Sequence, residues 1–104
     1  MMINENVMPM LDNPNDLEPR LCRFIQRALK SNIDISKASS FFIKNGLQSE
    51  SSESFSHGLE RAQSYFNYAY EISFQSLGEH TVDAIALREY SDAFLKHIAD
   101  SRGA

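Results

Sequence analysis

Apolar residues recur along this chain at alternating steps of four and three, the spacing that lines one face of an α-helix. The first run is Leu17, Leu21, Phe24, Ala28, Ile35, Ala38 and Phe42, with Ser31 standing where a further apolar residue is due. Ile25, Leu29, Ile33 and Ile43 widen the stripe. This pattern predicts one long helix beginning near Asp16, with Asn15 or Asp16 as N-cap, Glu18 in the first turn and Pro19 where a helix has no donor to lose. Asn45-Gly46 reads as its stop, with glycine in the left-handed position after the helix and Leu47 folding back toward Phe42. The polar stretch Ser49, Glu50, Ser51, Ser52, Glu53 and Ser54 then offers several serines as caps for the next helix. Serine costs a helix only about half a kcal/mol relative to alanine, so continuity from Gly46 through Ser54 stays open beside the favoured break.

The second run, Phe55, Leu59, Ala62, Phe66, Ala69 and Ser73, predicts a helix ending near Gly78. Thr81 is the natural cap of a third, with Asp83 in its first turn and Ala84, Leu87, Ser91, Phe94 and Ile98 as its buried stripe. Residues from Ser101 to Ala104 are expected to fray. Met1 to Asn15 contains Pro9 and Pro14 and no sustained period, which predicts a disordered tail over 1–15 ahead of a single helical domain over 16–104. No alternating run of β-branched residues competes. The expected fold is all-α: two or three amphipathic helices in a hairpin or small bundle, with coiled-coil-like packing.

Composition narrows the classes. A chain of 104 residues is one domain's worth and buries roughly 65% of its unfolded surface, which suffices for a modest core. Cys22 is the single cysteine, so an intramolecular disulfide and a cysteine-based zinc site are excluded, and a reducing, cytoplasmic setting is expected. No signal-peptide pattern opens the chain, and no stretch approaches the ~20 apolar residues of a membrane span. The formal charge of −4 is unevenly spread: Arg20, Arg23, Arg27, Lys30, Lys37 and Lys44 dominate the first half, acids the second. Arg20, Arg23, Arg27 and Lys30 form a basic stripe beside the apolar one. It either pairs with Glu53 and Glu60 of an antiparallel second helix, stays solvated, or meets an anionic surface. Nucleic acid is not an expected partner, given the net negative charge and no aromatics interleaved with these bases.

The second helix carries more apolar bulk than one face can hold. Phe66, Tyr70, Phe74 and Leu77 fall on one arc, while Tyr65, Tyr68 and Ile72 fall on another. A monomer of this size covers about two sides of such a helix, so surplus apolar surface is expected to remain. Tyr65, Phe66, Tyr70, Ile72 and Phe74 are the candidate adsorbing or interface residues, and a homo-oligomer or an apolar partner would cover them. Chemistry is poorly served. His57 within Ser56-His57-Gly58-Leu59 invites comparison with a phospho-accepting histidine, but Gly58, Leu59, Glu60 and Arg61 replace the lysine and glycine usual in the following turn. Glu50, Glu53 and Glu60 lack a histidine three residues on, which removes a carboxylate-bridged metal pair. No glycine-rich phosphate loop or nucleophile elbow occurs, so a protein that is not an enzyme and has no cofactor is expected.

From Phe55 to Ile98 the pattern resembles the phasin family, the helical proteins that coat polyhydroxyalkanoate storage granules. Leu59, Ala62, Gln63, Phe66, Ala69 and Leu77 look like that family's aromatic amphipathic helix. Thr81, Asp83, Ala84, Ile85, Leu87, Tyr90 and Phe94 look like its connection and following helix. Val82 stands where proline is usual, His80 where lysine is, and Arg88 where glutamine is. The resemblance implies a granule-surface protein that adsorbs to a hydrophobic polyester through its apolar face. The alternative is a small helical adaptor or oligomerisation module with a protein partner.

Overall fold

A computed structural model describes residues 16–47, 51–77 and 82–103, and all of its regular structure is α-helical. Four helices follow in order: α1 (Leu17–Lys30), α2 (Ile35–Gly46), α3 (Ser52–Leu77) and α4 (Val82–Gly103). The tail expected over 1–15, the stop at Gly78 and the cap at Thr81 lie outside the described residues.

The single first helix expected from the apolar stripe is two helices. Asn32 takes a left-handed backbone, φ 57°, which asparagine tolerates better than most residues. Two hydrogen bonds close the end of α1 around it: Asn32 N–H donates to Leu29 O and Ile33 N–H to Ala28 O, each at 3.0 Å. This is the paired bonding of a Schellman stop. Asp34 then opens α2, its side chain accepting from Lys37 N–H at 3.3 Å. The stripe nevertheless stays buried on both sides of the turn, from Leu17 to Ala28 in α1 and at Ala38 and Phe42 in α2. The left-handed role expected at Gly46 is therefore played fourteen residues earlier. Gly46 is instead the last residue of α2, buried, and a methyl there would lie 3.2 Å from the Phe42 ring.

The break between α2 and α3 is real. Leu47 leaves α2 buried, and Ser51 caps α3 by accepting from Ser54 N–H at 3.1 Å. α4 continues through Gly103, past the point where fraying was expected. α1 and α3 run side by side in the same direction, for Leu17 meets Gly58 and Gln26 meets Tyr65. α3 and α4 run antiparallel, with Gln63 donating to Asp92 at 2.9 Å and Arg88 lying over Tyr70. α2 covers α4, so α1 and α2 form one layer over the α3–α4 hairpin.

The core is a cluster of rings between those layers. Phe24 lies 5.1 Å from Phe42, 5.8 Å from Phe94 and 6.0 Å from Phe41, centroid to centroid. Such offset and tilted contacts suit the ring quadrupole. Leu21, Ile25, Phe66 and Ile98 close the cluster, all almost fully buried. The buried Ser39 and Ser91 hydroxyls bond to backbone carbonyls of Ser36 and Arg88 in their own helices. Tyr90 reaches across with its hydroxyl, donating to Ile33 O at 2.6 Å and pinning the α1–α2 turn to α4.

Candidate functional surface

α3 has 26 residues against 14 in α1, so at 1.5 Å per residue it is about 18 Å longer, and it overhangs α1 at both ends because Leu17 lies against Gly58. Gln26 of α1 stands opposite Tyr65, and α1 stops one turn later at Lys30. Ile72 and Phe74 lie beyond that level, whereas Tyr65 and Tyr68 lie within the span of α1 on an arc that faces outward past it. Tyr68 is 68% exposed, Phe74 45%, Tyr65 and Ile72 42% each, and Ile85 of α4 37%.

These residues divide into two patches. Tyr65, Tyr68 and Ile72 fall within an arc of about 60° at 100° per residue. Tyr65 anchors this strip: its hydroxyl accepts from Gln26 Nε2 at 3.3 Å and its ring meets Phe66 edge-on at 5.3 Å. Phe74 lies well round the helix from them. Tyr70 is half-buried beneath the Arg88 guanidinium, 4.4 Å from its centroid, a cation–π contact that holds the ring against α4. Arg88 in turn lies 3.9 Å from Asp92.

Phe66 leaves the set of candidate surface residues. It is 1% exposed, because its position shares the core stripe with Ala62 and Phe55 and points between α1 and α4. Tyr70 is part-covered, so Tyr65, Ile72 and Phe74 are the members of the expected set that stand open. Tyr68, the most exposed large apolar side chain among the described residues, lies on the arc that helical spacing shares with Tyr65 and Ile72, but which arc α1 leaves bare depends on the side along which α1 packs.

The four bases Arg20, Arg23, Arg27 and Lys30 stay together on α1. The turn at Ser31–Asp34 puts Lys37 and Lys44 on a different helix from Arg20, Arg23, Arg27 and Lys30. Arg20 turns inward, its Nη1 donating to Gly46 O at 2.9 Å and its Nε to Asp16 O at 3.4 Å. It thereby satisfies a carbonyl at the end of α2 and complements that helix's dipole. Arg23 and Lys30 face outward. The antiparallel pairing imagined for this stripe with α3 is replaced by parallel packing, in which Arg61 of α3 approaches Glu18 of α1 at 4.0 Å.

His57 lies exposed on α3 in an open groove against α4, beside Glu60, Asp92 and Lys96. Cys22 is buried, with Sγ 3.8 Å from Glu18 Oε2. Burial, reinforced by the Glu18 charge, pushes the thiol up to about 12, so it is a poor nucleophile near neutral pH. Among the described residues no group of three or more His, Cys, Asp or Glu side chains is placed to hold a metal ion, and no helix is long and apolar enough to cross a membrane. The strip on α3 is thus the feature with the strongest claim to function. No family model matches the chain, and comparison with curated proteins and with solved structures gives no match.

Proposed function

We propose that this chain is a non-enzymatic helical docking module that recognises an apolar surface on a protein partner through Tyr65, Tyr68 and Ile72. The observation that carries this reading is a tyrosine 68% exposed between two half-open apolar neighbours on a helix that buries Phe55, Ala62 and Phe66 on another face. Tyrosine suits such a role, since it offers large contact area with few rotatable bonds and a hydroxyl that stays hydrogen-bonded at the rim. The strip is short, and the core beneath it is closed by its own aromatic cluster. That geometry suits a defined protein contact better than spreading over a broad surface.

The granule-coat reading draws support from one point: among the described residues every exposed large apolar side chain, from Tyr65 to Ile85, lies inside the 55–98 segment that resembles the phasins. On that reading the same residues adsorb to polyester at about 25 cal/mol per Å² buried, and the charged outer faces keep granules dispersed in the cytoplasm.

One experiment separates the two. A photo-crosslinking residue at position 68 in living cells should give a discrete protein adduct of fixed stoichiometry, abolished in a Tyr65→Ser/Tyr68→Ser/Ile72→Ser variant that folds normally. Co-sedimentation with purified polyester granules, lost in the same variant, would instead favour the granule coat. Unchanged behaviour of the triple variant in both assays would exclude the strip as a working surface.

A further inference from the structure

Resting on the docking reading, the spacing and charge of the α3 strip name its partner: we propose that it pairs with the same strip of a second copy of this chain, the two α3 helices running antiparallel. Arg61, Tyr65, Tyr68, Ile72 and Gln75 follow one another at steps of four, three, four and three. This is the narrow seam of a two-helix coiled coil, separate from the wider stripe that α3 buries in its own core. Arg61, Tyr65, Tyr68, Ile72 and Gln75 are all exposed, as is Glu71 on the flank of the seam.

Charge then selects orientation and register. In a parallel pair Arg61 would lie beside the partner's Arg61 and Glu71 beside the partner's Glu71, two repulsive contacts. In the antiparallel register that centres Tyr68 on the partner's Ile72, Glu71 again meets the partner's Glu71 near the axis. Shifting by one heptad stacks Tyr65 of each copy on Tyr68 of the partner subunit. Arg61 then lies over the partner's Ile72 with its guanidinium beside the partner's Glu71, and the twofold axis makes this contact twice. This arrangement alone joins the tyrosines and opposes unlike charges at both ends. Arg61 is free to move there, for its approach to Glu18 is long and its side chain is two-thirds exposed. The seam spans about four turns of one helix, small beside the surface a permanent dimer buries. The pair is accordingly weak and concentration-dependent.

Sedimentation equilibrium of the full chain, from low to high micromolar concentration, tests this. A monomer–dimer equilibrium is expected, abolished by Tyr68→Ser, a change at an exposed position that leaves the helical CD spectrum and unfolding midpoint in place. Glu71→Arg, which sets like charges at both ends, should weaken the dimer roughly tenfold. The combined Arg61→Glu/Glu71→Arg swap should restore most of that loss, and added salt should reduce both differences. A monomer at every concentration overturns the proposal, as does a dimer indifferent to Tyr68→Ser or a swap no better than Glu71→Arg alone. A monomer that still crosslinks a different protein from position 68 overturns self-pairing while the docking reading stands. A chain that crosslinks nothing from that position overturns both.

Discussion

Replacing Gly58 by alanine should destabilise the protein, although helix propensity alone argues the opposite. Gly58 lies in the second turn of α3, and an alanine methyl there would fall 2.6 Å from Leu17 Cδ2, 2.7 Å from its Cβ and 2.8 Å from its Cγ. Carbon atoms prefer about 3.5–4.0 Å, so α1 or Leu17 must retreat by roughly 1 Å. Rotating the Leu17 side chain does not solve this, because one of the three close atoms is Cβ, fixed to the α1 backbone. Leu17 is also buried, 4% exposed, with little room to move aside. Alanine gains about 1 kcal/mol over glycine within a helix, whereas overpacking a closed contact costs about 1–3 kcal/mol. With three contacts under 3 Å, the upper part of that range applies, leaving a net loss of about 1–2 kcal/mol. In a domain of this size that lowers Tm by about 4–8 °C per kcal/mol. Denaturant unfolding followed by far-UV CD reads the effect, with Ser64→Ala, exposed on the same helix, as a control that should gain about half a kcal/mol. A double-mutant cycle with Leu17→Ala should show coupling of about 1 kcal/mol, since truncating Leu17 removes two of the three close atoms, Cγ and Cδ2, and leaves only the Cβ contact. A Gly58→Ala protein as stable as the parent, or more so, would refute the close packing of α1 on α3.

At Asn32, alanine should cost about 1 kcal/mol because its backbone resists the left-handed region, whereas glycine should leave thermal stability nearly unchanged. Stability should also fall in alkali. Burial, with the Glu18 charge adding to it, raises Cys22 from its ordinary value of 9.0 to about 12. Burial, with help from Asp34, raises Tyr90 from 10.0 to about 12. Both groups are held neutral in the folded state while the unfolded chain ionises, so the native state keeps more protons than the unfolded state over that interval. Their contribution is complete below pH 9 and is lost as pH climbs toward 12, at up to about 1.4 kcal/mol per pH unit for each group. Urea midpoints measured across that interval should decline, and less steeply in Tyr90→Phe; a flat profile would contradict the burial of both groups.

The helical class and the placement of α3 and α4 were legible because their apolar residues keep one phase and strong polar stretches separate them. The turn at Ser31–Asp34 was hidden for the same reason. The four-three rhythm runs on from Ala28 to Ile35 without slipping, so periodicity alone registers no break, and the signal lay in local chemistry: an asparagine able to go left-handed, then an aspartate able to cap. Burial of Phe66 and exposure of Tyr68 were partly readable, since helical spacing separates their arcs. Which arc stays open is fixed by the sides along which α1 and α4 pack against α3, and neither is a property of α3's own sequence. The inward turn of Arg20 to the Gly46 carbonyl depends on α2 folding back, so a stripe of like charges gave no warning of it.

The unbroken rhythm across that turn has a consequence for how the chain can be threaded. Straightened through Ser31–Asp34, residues 17–46 make a single rod about 45 Å long that carries the same greasy seam from end to end. The choice between doubling back and running straight thus rests with a handful of local bonds around Asn32, Ile33 and Asp34 and with the Tyr90 latch. Loosening them would free α1 to swing away from α2 as part of that rod, the kind of hinge at which identical chains can exchange an element.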